Sequence, residues 1–249
     1  MFEGLKNKRA LVTGASSGIG ASTAELLGSY GAFVGVHYRS NKEGATDTVN
    51  KIKERGGRAE MLQGDLLAAA VRKNLIKAFI DAFGGIDVLV NNAGGVYGAS
   101  HFLELDEESW DNTFALNVKA PFFLAKDAFA FMKEQGGGKI INISSISAKY
   151  GGSPQTLHYG AAKAALDSVT TGLARAGAQY NILVNSIRGG LIDTPFHKKI
   201  GRGNLAERIK LIPLKRAGQP LDVARMVLFL ASEAGNYITG EIFAVAGGD

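Results

Sequence analysis

Tyr159 and Lys163 stand four residues apart in LHYGAAKAAL, residues 157–166, a segment composed largely of strong helix formers. Residues at this spacing share one helix face, so the lysine ammonium can lie near the tyrosine hydroxyl. A nearby positive charge stabilises a phenolate, and we expect it to bring the pKa of Tyr159 down from about 10 toward working pH. Such a phenol suits general acid and base catalysis. Because the spacing recurs at Tyr38 and Lys42, two polar residues on a solvated helix face remain the alternative.

A glycine-rich turn, VTGASSGIG, lies at Val12–Gly20 between a predicted strand and a predicted helix. The start of a helix exposes unpaired backbone N–H groups and the positive end of the helix dipole, which together bind phosphate. Gly14 permits a tight turn, Gly18 close approach of a ligand, and Gly20 close packing of helix on strand. The pattern predicts a dinucleotide site, and an ordinary turn that needs positive φ angles is the alternative.

The predicted second strand ends in HYRSN, where NAD-binding folds place an acidic residue for the ribose 2′-hydroxyl. Tyr38 occupies that position here, and Arg39 follows it. A guanidinium binds a 2′-phosphate through paired, charge-assisted hydrogen bonds, so this strand end favours NADP over NAD. A solvated arginine at a strand end is the competing interpretation.

The elements that must position these residues alternate along the whole chain. Short apolar runs separated by longer helical patterns are typical of a parallel sheet covered by helices on both faces. We therefore predict one α/β domain, residues 1–249, with a doubly wound, Rossmann-type parallel sheet of seven strands. The predicted strands are RALVTG, AFVGVHY, AEMLQGD, DVLVNNAG, KIINISS, ILVNSIR and EIFAVAGG, and the predicted helices span residues 19–30, 42–55, 67–83, 106–134, 155–179 and 221–233. Pro121 is expected to kink or split the fourth helix.

Composition excludes several classes of function. The chain of 249 residues has 46% hydrophobic residues, 33 glycines and no cysteine, which indicates a packed globular protein without disulfides or thiolate metal sites. No apolar run is long enough for a membrane span, and the amino terminus lacks the apolar core of a signal peptide, so we expect a cytoplasmic protein. The net charge of +5 is dispersed along the chain, which argues against nucleic-acid binding.

The four histidines, His37, His101, His158 and His197, are isolated in sequence, and each is interpreted as a surface or packing residue. No metal site is predicted. The only long stretch without a clear strand is Thr194–Gly218, which is rich in lysine, arginine and glycine. Such a segment in a compact domain is usually a binding loop, and we expect a substrate lid at about residues 194–214.

Several motifs in order resemble the short-chain dehydrogenase/reductase family, and the resemblance covers residues 8–248. TGASSGIG, NNAG at Asn91–Gly94, NISS, and YGAAK starting 14 residues after Ser145 match its motifs, as does the ending PLKRAGQPLDVARMVLFLASEAGNYITGEIFAVAGG. The resemblance implies that Asn117, Ser145, Tyr159 and Lys163 are the catalytic residues. It implies that Ser145 positions the substrate oxygen, Lys163 also binds the nicotinamide ribose, and Asn117 anchors a proton-relaying water.

The same resemblance extends the cofactor site to the carboxyl ends of several strands. It implies that Asp65 accepts from the adenine amino group and that Ile192 and Thr194 hold the nicotinamide carboxamide. The full predicted cofactor set is Gly14, Ser16, Ser17, Gly18, Ile19, Gly20, Arg39, Ser40, Asp65, Leu66, Asn92, Ala93, Gly94, Tyr159, Lys163, Ile192 and Thr194.

The sequence thus predicts an NADP(H)-dependent oxidoreductase that interconverts a ketone and a secondary alcohol. An NAD-dependent sugar or polyol dehydrogenase and a non-catalytic NADP(H)-binding module are the alternatives. The resemblance also implies a homotetramer and a small-molecule substrate.

The chain departs from the family pattern at Gly189, where proline is usual, and at Ala246. Gly136 and Tyr180 stand where reductases of carrier-protein substrates tend to have arginines, which disfavours such a substrate.

Overall fold

The structure, a computed structural model, describes residues 2–199, 201 and 205–249. Seven strands alternate with helices along the chain, as the sequence pattern predicts. The strands are β1 (Arg9–Val12), β2 (Phe33–Tyr38), β3 (Arg58–Gln63), β4 (Val88–Asn91), β5 (Gly138–Ser145), β6 (Ile182–Gly189) and β7 (Ile242–Val245). The helices are α1 (Gly18–Ser29), α2 (Lys42–Glu54), α3 (Ala69–Phe83), α4 (Glu107–Phe114), α5 (Ala120–Gln135), α6 (Ser147–Tyr150), α7 (Leu157–Gly177), α8 (Pro195–Lys199), α9 (Ala206–Leu211) and α10 (Pro220–Ala231).

The seven strands form one parallel sheet in the order β3-β2-β1-β4-β5-β6-β7, which confirms the predicted fold class. From β1 the chain winds outward to β3 and then returns to place β4 on the other side of β1. The loops after β1 and β4 therefore leave the sheet in opposite directions. In open α/β sheets this switch point opens a crevice at the carboxyl ends of the strands, where ligands bind.

Helices cover both faces of the sheet, and each face has its own apolar core. Neighbouring residues of a strand point to opposite faces, so Val12 packs in the core beneath α1, α2 and α10, whereas Leu11 packs in the core beneath α3 and α5. Both side chains are fully buried. Burial on two faces explains why the strands read as continuous apolar runs, and it makes the sheet a rigid base for the loops at its carboxyl edge.

The predicted fourth helix, residues 106–134, is divided as expected near Pro121. Asp106 caps α4 by accepting from the amide of Ser109 at 2.6 Å. A π-helical segment, Ala115–Lys119, then connects α4 to α5, and Pro121 stands in the first turn of α5. Proline has no N–H to donate, so one helical hydrogen bond is missing just after the π-helical segment. The wider π turn was not predicted from the sequence.

The segment expected to be a lid contains two short helices, α8 and α9. Residues 200 and 202–204, and the side chains of Lys198 and Lys199, fall within the predicted lid but lie outside the described residues. The described part packs against the end of the chain, since the amide of Leu214 donates to the carbonyl of Gly247 and Arg208 forms an ion pair with Asp249. Among the described residues, every helix is too short or too polar to span a bilayer.

Candidate active site

The glycine turn lies at the switch point and leads directly into α1. Gly14 and Gly18 have φ angles of 63° and 56°, which a residue with a side chain rarely adopts. A Cβ atom on Gly20 would lie 2.3 Å from the carbonyl oxygen of Gly14, so only glycine allows the helix this close to the turn. Ser17, at the N-cap of α1, makes no side-chain capping bond, which leaves the first amides of the helix directed at the crevice. The turn therefore fits a dinucleotide pyrophosphate.

The loop after β4 is tied to this turn by reciprocal hydrogen bonds. The hydroxyl of Thr13 accepts from the amides of Asn92 and Ala93 at 2.9 and 3.0 Å. The side-chain amide of Asn92 donates to the carbonyls of Thr13 and Gly14 at 2.8 and 3.1 Å. The two loops that border the crevice are thus held at a fixed separation.

His37, on β2, holds the glycine turn in place. The amide of Gly14 donates to its Nδ1 at 3.2 Å, and its Nε2 donates to the carbonyl of Gly64 at 3.1 Å, so the imidazole joins the loops after β1 and β3. Burial lowers its pKa to about 4, which keeps the ring neutral and able to accept from Gly14. The sequence interpretation of His37 as a packing residue missed this role. A polar residue inside an apolar strand was the available signal, because a buried polar group needs partners.

The ends of β2 and β3 form the outer part of the crevice. Arg39 is exposed at the end of β2, and its Nη1 donates to the hydroxyl of Tyr97 at 3.1 Å. Asp65 follows β3, and its carboxylate accepts from the amide of Leu67 at 2.9 Å, which shapes a turn beside the predicted adenine position.

Asn117 lies in the π-helical segment and is completely buried. Its Nδ2 donates to the carbonyls of Gly95 and Thr113 at 2.7 and 2.8 Å, and its Oδ1 accepts from the amide of Gly95 at 3.3 Å. The side-chain amide thus joins the Gly95 loop to the turn of helix before it. A Cβ atom on Gly94 would lie 2.8 Å from Oδ1 of Asn117 and 3.3 Å from Nζ of Lys163, so both side chains border the same glycine.

Tyr159 and Ser145 come together from α7 and the end of β5. The amide of Ser147 donates to the Ser145 hydroxyl at 3.1 Å, which fixes the oxygen at the strand end. The Ser145 side chain interacts with the Tyr159 phenol and lowers its pKa, but burial acts more strongly and raises that pKa to about 12. The ring of Phe196, from α8, packs against Tyr159 with centroids 5.8 Å apart.

The expected lowering of the Tyr159 pKa is therefore wrong for this structure. The ammonium of Lys163 lies 5.7 Å from the centroid of the tyrosine ring and donates at 2.7 Å to the carbonyl of Ile143. At that separation it does not outweigh the loss of water around the phenolate. Tyr159 is consequently a neutral phenol at working pH, a state in which it can donate a proton.

Lys163 is itself buried, with 3% of its surface exposed. Burial lowers its pKa to about 8, whereas the negative charge of Asp167, one helical turn further along α7, raises it. Asp167 is in turn ion-paired with Arg188 of β6 at 2.8 Å and accepts from the hydroxyl of Ser186 at 2.8 Å. The protonation of Lys163 thus depends on a buried carboxylate that the sequence interpretation did not identify.

The loop after β6 closes the inner side of the crevice. Ile192 pairs with Gly218 in an isolated bridge, and the methyl group of Thr194 would lie 3.1 Å from a Cβ on Gly18, so Thr194 stands over the glycine turn. Gly189, where proline is usual in the family, is held in the sheet between Ser145 and Val245. Pairing with both neighbouring strands restrains the backbone of Gly189, although a glycine in place of proline would by itself predict a looser loop.

One cavity of about 440 Å³ connects these groups. Within the described part of the chain, no three histidine or acidic side chains converge as a metal site would require. Gly20 and Asn117 are the two predicted site residues that lie behind the cavity wall rather than on it. Its lining includes Gly14, Ser16, Ser17, Gly18, Ile19, Arg39, Ser40, Asp65, Leu66, Asn92, Ala93, Gly94, Ser145, Tyr159, Lys163, Ile192 and Thr194. It also includes His37, Tyr97, Leu116, Phe196, His197 and Arg208.

Comparison with known proteins identifies relatives across nearly the whole chain. The family model described as Enoyl-(Acyl carrier protein) reductase matches residues 14–249. The 3-oxoacyl-(acyl-carrier-protein) reductase of Staphylococcus epidermidis is 36% identical over 97% of this chain and 98% of its own length. Acetoin dehydrogenase from Enterobacter cloacae has a TM-score of 0.88 at 36% identity, covering 97% of this chain and 95% of that one. A blue fluorescent protein from a metagenomic library, solved with NADPH, has a TM-score of 0.91 at 36% identity and covers 98% of each chain.

Proposed function

Because the chain belongs to the short-chain dehydrogenase/reductase family, which acts on CH–OH or carbonyl groups with NAD(P), we propose that it is an NADP(H)-dependent oxidoreductase. Its reaction is the interconversion of a ketone and a secondary alcohol, with Tyr159 as the proton donor and acceptor. The observation that carries the proposal is the single cavity shared by Tyr159, Ser145, Lys163 and the glycine turn. We expect the cytoplasm as its location, since the sequence contains no cysteine.

The dinucleotide, when bound, supplies or accepts the hydride. Ser145 hydrogen-bonds the substrate oxygen and fixes its position, and its own oxygen is already oriented by the amide of Ser147. Preorganised donors of this kind lower the barrier because no reorganisation is needed as negative charge develops. Tyr159, a neutral phenol whose pKa is raised to about 12, donates its proton to that oxygen in the reductive direction.

Lys163 and Asn117 are assigned supporting roles in proton transfer by Tyr159. Lys163 supplies positive charge near the phenolate that forms on proton transfer, and it binds the nicotinamide ribose. Asn117 shapes the Gly95 loop through three hydrogen bonds and anchors the path by which the proton is replaced. Gly94 lies against the side chains of both Asn117 and Lys163, which supports a joint role for these two residues.

The preference for NADP(H) over NAD(H) is assigned to Arg39. Its guanidinium borders the outer cavity, and no described carboxylate lies within ion-pair distance of it. An unneutralised guanidinium attracts a 2′-phosphate, whereas NAD-binding sites present a carboxylate that would repel one.

Replacing Tyr159 with phenylalanine tests the reaction mechanism. The substitution removes the proton and keeps the ring, so we expect turnover of any accepted carbonyl to fall roughly 100- to 10,000-fold. Binding of NADPH, followed by its fluorescence, is expected to weaken by no more than about fivefold, since the Tyr159 hydroxyl is one predicted cofactor contact among many. Tyr150→Phe, on an exposed tyrosine outside the cavity, is the matched control. Turnover by Tyr159→Phe near the wild-type rate would contradict the mechanism.

A panel of ketones and secondary alcohols, assayed with both cofactors at the nicotinamide absorbance, tests the activity and its cofactor preference. We expect wild type to favour NADPH and Arg39→Asp to favour NADH, because the substituted carboxylate repels the 2′-phosphate. An unchanged NADPH preference in the variant would remove the role of Arg39. Preferential turnover of sugars with NAD would support a polyol dehydrogenase instead, and NADPH binding without any turnover would support a non-catalytic module.

A further inference from the structure

We propose that Tyr97 is a specificity-positioning residue, whose hydroxyl directs the guanidinium of Arg39 toward the 2′-phosphate of NADP(H). The inference rests on the NADP(H) preference proposed above and adds a second residue to it. Nη1 of Arg39 donates to the Tyr97 hydroxyl at 3.1 Å, although the two residues are 58 positions apart in the chain. Both residues line the cavity that contains the glycine turn.

Tyr97 is a fixed point because buried side chains hold its backbone from two helices. Its amide donates to the hydroxyl of Thr113, in α4, at 3.1 Å, and Thr113 is fully buried. Nε2 of His158, in α7, donates to its carbonyl at 2.8 Å, and His158 is only 1% exposed. The phenol therefore extends from a rigid backbone toward the end of β2.

Arg39, in contrast, has little else to orient it. Its carbonyl accepts from the side chain of Gln63 at 3.2 Å, which holds the backbone but not the guanidinium. Among the described residues, the Tyr97 hydroxyl is the only hydrogen-bond acceptor for that guanidinium. A long exposed side chain loses conformational freedom when it binds a ligand, so a contact that restricts it beforehand improves affinity.

A phenol is suited to this task because it is a neutral acceptor. It engages one of the five N–H donors of a guanidinium and leaves the others for two parallel bonds to phosphate. A carboxylate in the same place would orient the arginine equally well but would neutralise its charge and repel the phosphate. NAD(H) has no 2′-phosphate, so the contact between Tyr97 and Arg39 is expected to affect only NADP(H).

The test uses the whole chain with Tyr97→Phe, which removes the hydroxyl and keeps the ring. Dissociation constants for NADPH and NADH are measured by fluorescence titration. The same constants for adenosine 2′,5′-bisphosphate and adenosine 5′-monophosphate, measured by calorimetry, isolate the 2′-phosphate without any turnover. We expect the Kd for NADPH and for the bisphosphate to rise about fivefold to tenfold, and those for NADH and the monophosphate to change by less than about twofold. Tyr237→Phe, on a fully exposed tyrosine outside the cavity, is the control.

A double variant shows whether Tyr97 acts through Arg39. In an Arg39→Ala background, Tyr97→Phe is expected to have no further effect on NADPH binding, because the side chain it orients is gone. Equal weakening of NADPH and NADH would mean a general change of the cleft and would overturn the inference. Tighter NADPH binding by Tyr97→Phe would also overturn it, since the hydroxyl would then compete with the phosphate. Equal affinities of wild type for both cofactors would refute the proposed NADP(H) preference itself, and this inference with it.

Discussion

Lys163 is a buried cation whose charge state depends on its neighbours. Burial lowers its pKa to about 8, and Asp167 opposes that effect. Arg188, ion-paired with Asp167 at 2.8 Å, partly cancels the carboxylate. The balance of these three charges decides how much of the lysine is protonated just above neutral pH.

Asp167→Asn is therefore expected to shift the basic limb of the pH profile of kcat/KM to lower pH. Removing the negative charge lowers the pKa of Lys163 further, so the ammonium is lost at a lower pH than in wild type. We expect about threefold to tenfold less activity at pH 8 and a smaller change at pH 6. The measurement is kcat/KM from pH 5.5 to pH 9.5.

Arg188→Gln is the matched control because it breaks the same ion pair from the other side. It leaves the Asp167 carboxylate without its cation, so the pKa of Lys163 is expected to rise and the basic limb to move to higher pH. Opposite shifts in the two variants separate an electrostatic effect from a loss of packing. Shifts in the same direction would contradict the proposed dependence on Asp167.

The sequence predicts candidate catalytic residues, but it does not predict the environment that sets their pKa values. Tyr159, Lys163 and Ser145 belong to short motifs that are readable without a structure. The pKa of Tyr159 depends on how deeply the folded chain buries the phenol, and that burial reverses the direction expected from Lys163 alone. Residue types predict a charge and its neighbours along a helix, whereas desolvation is a property of the assembled fold.

At the scale of elements, β2 holds the cofactor crevice together. His37 lies on this strand and bridges the loops that follow β1 and β3, and Arg39 lies immediately beyond the strand end. The bridge works only while the imidazole is neutral, because a protonated Nδ1 cannot accept from the amide of Gly14. The stability of this edge of the sheet is thus linked to pH.

The free energy of unfolding is expected to fall as the pH decreases from about 6.5 to about 4. The unfolded chain protonates His37 near its ordinary pKa of about 6.5, whereas the folded chain resists protonation until about 4, so the unfolded state binds more protons in this window. The contribution is full above about pH 6.5 and is lost by about pH 4, with an upper limit of about 3 kcal/mol. Urea denaturation across this range measures it.

His37→Gln tests the assignment, because a carboxamide provides both a donor and an acceptor group but does not titrate here. We expect the variant to show a smaller decrease in stability between pH 6.5 and pH 4 than wild type. The same substitution at the exposed His101 is the control. A variant whose decrease equals that of wild type would show that other groups cause the pH dependence.

Periodicity located the long elements, but not the irregular ones between them. All seven predicted strands and the break near Pro121 are present, because continuous apolar runs and a missing N–H are local signals. The π-helical segment Ala115–Lys119 and the short helix α6 depend instead on distant partners. Asn117 bonds to Gly95, and Ile146, just before α6, donates from its amide to the carbonyl of Gly189. Such contacts are set by tertiary structure, which has no local sequence signature.

At the scale of the whole molecule, the exposed residues of α5 and α7 bear on how copies of the chain assemble. α5 exposes Phe122 and Phe123, each by more than a third of its surface, on the side of the helix away from the core. α7 presents small residues such as Gly172, where an added Cβ would contact nothing. Family resemblance implies a homotetramer, and an aromatic pair beside a small-residue surface is compatible with helices that pack between subunits.

Replacing both Phe122 and Phe123 with aspartate is expected to dissociate the homotetramer that the family resemblance implies. Each phenylalanine that loses its burial costs an interface about 1.5–3 kcal/mol, and the added charges repel their symmetry copies. Light scattering measures the mass, which we expect to be four times 26.2 kDa for wild type and smaller for the variant. Met61→Asp, which also introduces a charge at an exposed apolar residue but on the edge strand β3, is the control. A wild-type mass of one chain would refute the tetramer.

The wide turn at Ala115–Lys119 also couples this outer surface to the candidate active site inside. A π turn contains about one residue more than the α-helical turn it replaces, and each residue of an α-helix advances the helix by about 100° and 1.5 Å. A one-residue deletion there would rotate all of α5 by roughly that angle relative to Asn117. Either the amide would leave Gly95, or Phe122 and Phe123 would face a different direction. The chain therefore cannot lose this residue without giving up either its inner hydrogen bonds or its outer aromatic surface.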